Sequence, residues 1–87
     1  MEDYYVIDKA MENGYKVATG ENTFEDLLEE EDIFICSYHP MLSKKRKVIC
    51  LNNMIEYFEC EEEYEKCSEL LKIKYILIRG YSNYLNV

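Results

Sequence analysis

At 87 residues the chain has room for one domain and not for two, so residues 1–87 are expected to fold as a single unit. Its hydrophobic content of 48% excludes a disordered chain, and its net charge of −8 disfavours a general DNA- or RNA-binding role. Affinity for phosphate backbones comes mainly from lysine and arginine, and the chain has 10 of these against 18 acidic residues. Residues 81–87 are predicted to form a loosely held tail.

The beginning of the chain and its cysteines indicate a compartment. No basic segment followed by an apolar one is present there, so the sequence predicts no secretory signal. No apolar run approaches the length of a membrane span, and we expect no membrane contact. The four cysteines are then expected to be reduced thiols of a cytoplasmic protein, acting as small buried hydrophobic residues.

The first predicted element is a helix over residues 3–13, because Asn13-Gly14 is a typical helix stop. Its apolar residues follow the helical spacing at Val6, Ile7, Ala10 and Met11. Residues 15–19 contain aromatic and β-branched side chains and are predicted to form a short strand. A competing interpretation makes residues 4–7 a strand that turns at Asn13-Gly14 into residues 15–19.

A turn over residues 20–23 precedes a predicted helix over residues 24–31. Asn22 or Thr23 is suited to cap this helix, and Asp26 stands three residues after Thr23, as in a capping box. The helix carries carboxylates at its end, where they oppose the helix dipole, namely Glu29, Glu30 and Glu31. Either this helix ends early, or these carboxylates face a basic partner.

Three later segments are typical of strands, since β-branched and aromatic side chains dominate residues 33–38, 48–51 and 74–79. The first two of them could pair as a hairpin. An alternative places one helix from Ser43, as its N-cap, through Val48, Leu51, Ile55 and Phe58. We predict an α+β fold of two or three helices with a small antiparallel sheet, and keep an all-α fold as the alternative.

The clearest helix spans residues 53–73. A stripe at steps of three and four is expected to form the core seam, and it consists of Tyr57, Cys60, Tyr64, Cys67 and Leu71. Beside the stripe lie Met54, Phe58 and Leu70. The carboxylates fall mostly off the stripe and are predicted to form a solvent face, made of Glu56, Glu59, Glu61, Glu62, Glu63, Glu65 and Glu69.

Residues 62–70, EEYEKCSEL, resemble the second half of the UVR motif, the short helical hairpin of excision-repair proteins. The matching residues are the aromatic Tyr64, the paired small residues Cys67 and Ser68, and Leu70. The resemblance implies a helical hairpin that docks a partner protein, with a turn near residues 60–62. In such a hairpin Tyr64 and Leu70 would pack inside.

The side chains that could bind a metal or perform catalysis are few. Cys36, His39, Cys60 and Cys67 have the composition of a zinc site. However, Cys60 and Cys67 stand two helical turns apart, about 10 Å by helix rise, which is too far for one metal ion. No set of nucleophile, base and orienting residue is recognisable. We therefore expect no metal, no cofactor and no enzymatic activity.

Four consecutive bases at residues 44–47 interrupt an otherwise acidic sequence. They are either a solvated loop or a contact patch for RNA phosphates or an acidic groove. Within this run Lys45 and Arg46 are predicted as a secondary contact.

In size, acidity, tyrosine and glutamate content and lack of catalytic motifs, the chain resembles small phage-encoded inhibitors, including anti-CRISPR proteins and DNA mimics. This resemblance of type implies a non-enzymatic inhibitor that binds a larger basic protein, such as a host nuclease or guide-RNA complex. The carboxylates predicted to make the contact are Glu29, Glu30, Glu31, Glu61, Glu62 and Glu63. The alternative function is a UVR-like helical-hairpin adaptor for protein–protein interaction.

Overall fold

The computed structural model describes residues 2–30 and 34–79. It contains α1 (Glu2–Thr19), α2 (Phe24–Glu30), α3 (Lys44–Cys60) and α4 (Tyr64–Arg79). Within these residues there is no strand, so the predicted α+β fold is wrong and the all-α alternative is correct. None of the described helices is both long enough and apolar enough to traverse a bilayer. The predicted tail over residues 81–87 lies outside the described residues.

Helix α1 continues through the segment that was predicted to be a strand, residues 15–19. Gly14 does not end the helix. Its lack of a side chain instead lets another segment approach α1. A Cβ atom at position 14 would collide with Ser37 Oγ and would lie 2.9 Å from Met54 Sδ. The segment that contains Ser37 is fixed to α1 there, since the Ser37 N–H donates to the carbonyl of Ala10 at 3.0 Å.

Residues 34–38 are irregular and have no ladder partner in the described chain, so the strand predicted over residues 33–38 is wrong for the part that the structure describes. Their hydrogen bonds go to α1 instead. The fully buried Asn13 donates from Nδ2 to the carbonyl of Ile35 at 2.8 Å. This buried amide gives the Ile35 carbonyl the hydrogen-bond donor that a neighbouring strand would supply in a sheet.

The strand predicted over residues 48–51 is also wrong, because these residues lie in the first half of α3. Ser43 caps the helix, and its Oγ accepts from the Arg46 N–H at 3.3 Å. Leu51, Met54 and Phe58 are fully buried on one face, so helical spacing outweighs the strand preference of the β-branched residues. Residues 74–79, the last predicted strand, belong to α4.

The turn and capping box before α2 are confirmed. The Asp26 N–H donates to Thr23 Oγ1 at 3.0 Å, and the Thr23 N–H donates to Asp26 Oδ2 at 3.4 Å. The turn itself needs Gly20, whose φ of +82° lies in the left-handed region.

The helix predicted over residues 53–73 is in fact two helices, joined by a turn at residues 61–63. Glu62 adopts a φ of +61°, and the flanking bonds form a Schellman motif. In it, the Glu63 N–H donates to the Phe58 carbonyl at 2.9 Å and the Glu62 N–H to the Glu59 carbonyl at 3.0 Å. The result is an antiparallel hairpin of α3 and α4.

This turn resets the helical phase, so the predicted core seam is displaced. Tyr64 is 62% exposed and Cys60 is exposed, although both stood on the predicted stripe. Cys67 of the predicted stripe is buried, together with Met54, Phe58 and Leu70, which were predicted beside it, and Leu51 completes the buried residues of the hairpin. Helix α1 packs on this hairpin, with the ring of Tyr15 edge-on to that of Phe58 at 5.8 Å.

Candidate functional site

Carboxylates from three elements gather at the turn end of the hairpin. We call this surface the acidic end, and it comprises Asp8, Glu12, Glu61, Glu62, Glu63 and Glu65. Tyr57 links α3 to α1 there, because its hydroxyl donates to Asp8 Oδ1. Burial raises the pKa of Tyr57, as do its bond to Asp8 and the negative charges of Asp8, Glu61 and Glu12. The acidic residues of α1 and of the turn therefore act on the same group.

Lys66 is the cation at the centre of the acidic end. Its Nζ lies 2.9 Å from Glu12 Oε1 and 3.2 Å from Glu63 Oε1, so it joins α1 to the turn. It also lies 4.9 Å from the ring centroid of Phe58 and 5.3 Å from that of Tyr15. Burial lowers the pKa of Lys66, but its bonds to Glu12 and Glu63 outweigh burial, and the net pKa is raised.

The predicted contact residues of the turn thus divide by their surroundings. Glu61 and Glu62 are exposed and make no ion pair within the described chain, whereas Glu63 is half-buried and bound to Lys66. Glu61 and Glu62 are consequently available to a partner. Glu63 is mainly a structural residue, because its removal would leave Lys66 with Glu12 alone.

The predicted contact residues Glu29 and Glu30 lie elsewhere, on α2. This short helix is held by the buried Leu27 and by Phe24, whose ring packs against Phe34 at 4.8 Å. Both carboxylates are exposed, and no described hydrogen bond or ion pair joins them to the acidic end. Glu31 lies outside the described residues.

The four bases of residues 44–47 form the first turn of α3 and are not a loop or a strand start. They lie at the opposite end of the hairpin from the acidic end, about 25 Å away by helix rise. This first turn contains no acidic residue. Among the described residues, no carboxylate is within ion-pair distance of any of the four.

Two open apolar clefts flank Ile49 beside these bases. One, of about 430 Å³, is lined by Leu42, Lys45, Arg46, Ile49 and Cys50. The other, of about 500 Å³, is lined by Lys44, Lys45, Val48, Ile49 and Ile78. The sequence prediction missed these clefts, because a strand over residues 48–51 would not arrange these side chains around Ile49. The alternative helix from Ser43 places Ile49 outside, because Val48, Leu51 and Phe58 share its inner face. This exposed isoleucine is the feature of the sequence that could have indicated the clefts.

The cysteines and the histidine have separate surroundings. Cys36 Sγ donates to the Tyr38 carbonyl at 3.0 Å, whereas His39 Nδ1 accepts from the Met41 N–H at 3.0 Å. Cys67 is buried, and burial raises its thiol pKa, which disfavours a reactive thiolate. In residues 2–30 and 34–79, no three His, Cys, Asp or Glu side chains are arranged to hold a metal ion.

No protein-family model matches the chain, and neither does any curated protein or any solved structure. The turn at residues 61–63 lies close to where the UVR resemblance implies a hairpin turn, but the family itself stays a prediction. Function therefore has to be inferred from the charges and surfaces of the chain itself.

Proposed function

We propose that the chain is a non-enzymatic, cytoplasmic protein-binding inhibitor of the anti-CRISPR or DNA-mimic type. Its acidic end occupies a basic surface of a larger protein, such as a nuclease or a ribonucleoprotein effector, that otherwise holds nucleic acid. The observation that supports this most is the gathering of carboxylates from α1, the turn and α4 around Lys66.

An excess of like charge at one end opposes folding, because the carboxylates repel each other more in the folded chain than in the unfolded one. Lys66 contacts Glu12 and Glu63, which leaves Glu61, Glu62 and Glu65 without a counter-charge among the described residues. A basic partner would relieve this repulsion. A groove that binds phosphates supplies such lysines and arginines, and carboxylates can take the place of phosphates there.

The test is a pull-down from bacterial lysate with the tagged chain, followed by competition with DNA and with RNA. We expect a captured nuclease or guide-RNA complex that is released between about 0.05 M and about 0.5 M salt, since screening shortens the range of exposed charges. Nucleic acid should also displace it. Glu61→Lys with Glu65→Lys should abolish capture. The fold should be kept, because neither residue makes an ion pair within the described chain.

The matched control reverses two exposed carboxylates of α2, Glu29→Lys with Glu30→Lys. This variant has the same net charge as the Glu61/Glu65 variant but leaves the acidic end intact. If both double variants lose the partner equally, net charge is responsible and the acidic end has no special role. Capture that persists in the Glu61/Glu65 variant would refute the proposal.

A second candidate, the UVR-like hairpin adaptor, is favoured by the exposed apolar side chains of α4. Tyr75 is 54% and Ile76 is 64% exposed, although both belong to a hairpin helix. Leu70 packs inside as that resemblance implies, whereas Tyr64 does not. An adaptor complex should persist at high salt and should be lost in Ile76→Asp, while the Glu61/Glu65 reversal should leave it nearly unchanged.

A further inference from the structure

The basic first turn of α3 is an unfavourable arrangement for the isolated chain. The N-terminus of a helix carries a partial positive charge, so lysine and arginine there oppose the helix dipole. Here all four residues of that turn are basic, and no described carboxylate offsets them. An anionic group placed at this end would meet both the side-chain charges and the helix dipole.

The same end also carries two open clefts with apolar residues in their walls. Ile49 is 51% exposed and separates the two clefts, whose remaining walls include Leu42 on one side and Ile78 on the other. Cleft volumes of about 430 Å³ and about 500 Å³ suit inserted side chains. Lys45 and Arg46 are exposed and line the first cleft, and Lys45 also lines the second.

We propose that this surface, the basic cleft (Leu42, Lys44, Lys45, Arg46, Ile49 and Ile78), binds an acidic amphipathic helix of a partner protein. Apolar residues on successive turns of that helix enter the clefts on either side of Ile49. Carboxylates beside them pair with the bases at the rims. This is a second binding surface, separate from the acidic end, and it does not depend on the function proposed above.

Charge and shape together select this occupant. An RNA strand would satisfy the basic side chains through its phosphates, but its nucleobases stack on aromatic side chains, and no described aromatic residue lines either cleft. A helix with apolar anchors at i, i+3, i+4 and i+7 and carboxylates beside them matches both features.

The test uses fluorescence anisotropy with a labelled synthetic helix that has leucines at i, i+3, i+4 and i+7 among glutamates. A scrambled peptide of the same composition is the control. We expect the patterned peptide to bind the full chain and the scrambled one to bind at least about tenfold more weakly. Lys45→Glu with Arg46→Glu should weaken binding about tenfold or more, as should Ile49→Asp.

Two matched variants separate the basic cleft from general charge and apolarity. Lys72→Glu reverses an exposed lysine of α4, and Ile76→Asp replaces an isoleucine that is 64% exposed. Neither residue lines the clefts. Both should leave peptide affinity within about twofold. Equal binding of the patterned and scrambled peptides, or equal losses in the control variants, would overturn the proposal.

Parallel measurements cover the other occupants. Single-stranded RNA that binds through Lys45 and Arg46 with no contribution from Ile49, while the peptide does not bind, would assign the surface to RNA. Binding to anionic lipid vesicles in place of the peptide, lost in Ile49→Asp, would assign it to a membrane. Self-association in sedimentation that Ile49→Asp abolishes would assign it to a second copy of the chain. Each of these results would refute the peptide proposal.

Discussion

Replacing Gly14 by alanine tests whether close packing or helix propensity governs the middle of α1. Alanine is favoured over glycine inside a helix by about 1 kcal/mol, which alone would stabilise the chain. The new methyl group, however, would collide with Ser37 Oγ and lie 2.9 Å from Met54 Sδ. Met54 and the Ser37 hydroxyl can change rotamer, but the Ser37 Cβ, 3.3 Å from the new methyl group, cannot. The Ser37 main chain is held in place because its N–H donates to the Ala10 carbonyl at 3.0 Å.

Overpacking of this kind costs about 1–3 kcal/mol, and displacing Ser37 would also weaken a hydrogen bond that contributes about 1 kcal/mol. Against the gain of about 1 kcal/mol in propensity, we expect Gly14→Ala to lower the free energy of unfolding by about 1–3 kcal/mol. Urea unfolding followed by far-UV circular dichroism measures this change. A Gly14→Ala protein as stable as the parent, or more stable, would refute the reasoning.

A second substitution identifies the contact. Ser37→Gly removes both the hydroxyl and the Cβ atom, which lies 3.3 Å from the added methyl position. The double variant Gly14→Ala with Ser37→Gly should recover at least about 1 kcal/mol relative to the sum of the single changes. Purely additive effects would show that the two positions do not touch.

Three further changes test the helix ends and the acidic end. Arg46→Glu completes a capping box with Ser43 and should raise the free energy of unfolding by about 1 kcal/mol in thermal melts; a fall would contradict the observed cap. Glu62→Gly should stabilise by about 1 kcal/mol, because glycine tolerates the φ of +61°, whereas Glu62→Ala should not. Because the folded pKa of Tyr57 is raised, its contribution is present below the unfolded pKa, about pH 10, and is lost as pH rises above it. Tyr57→Phe should therefore flatten the alkaline decline in stability, and an unchanged decline would refute this origin.

Local signals in the sequence predicted helix starts well. The capping box of Thr23 and Asp26 needs only residues three apart, and it formed as predicted. Ser43 is suited to be an N-cap too, but residues 48–51 have the composition of a strand, and the two signals conflict. The strand composition is misleading because Leu51 packs inside a helical hairpin, and burial against a partner helix decides the conformation of such segments.

The break at residues 61–63 could not be found from composition. A Schellman turn is usually marked by glycine, whereas here Glu62 occupies the left-handed position. Without this break, the apolar stripe was extrapolated across two helices and placed Tyr64 in the core. The UVR resemblance implies a turn close to this point, whereas the helical periodicity predicts one continuous helix.

The candidate surfaces were predictable in charge and not in arrangement. The sequence identified Glu61 and Glu62 as contact residues, and both are exposed. It could not show that Lys66 binds Glu12, because Glu12 comes from α1, 54 residues away from Lys66. Nor could it show that Lys45 borders an apolar cleft, since Ile78 reaches that cleft from the far end of α4.

The short turn between α3 and α4 also bears on how the chain reaches its fold. Contacts across the hairpin join residues close in sequence, as in Cys67 with Ile55, 12 positions apart, whereas the bond of Tyr57 to Asp8 spans 49. Closing the longer loop costs about 1.2 kcal/mol more in chain entropy. We therefore expect the α3–α4 hairpin to be formed in the transition state and α1 to dock afterwards. Mutations in α1 should then mainly accelerate unfolding, whereas those at Leu51 or Leu70 should slow folding.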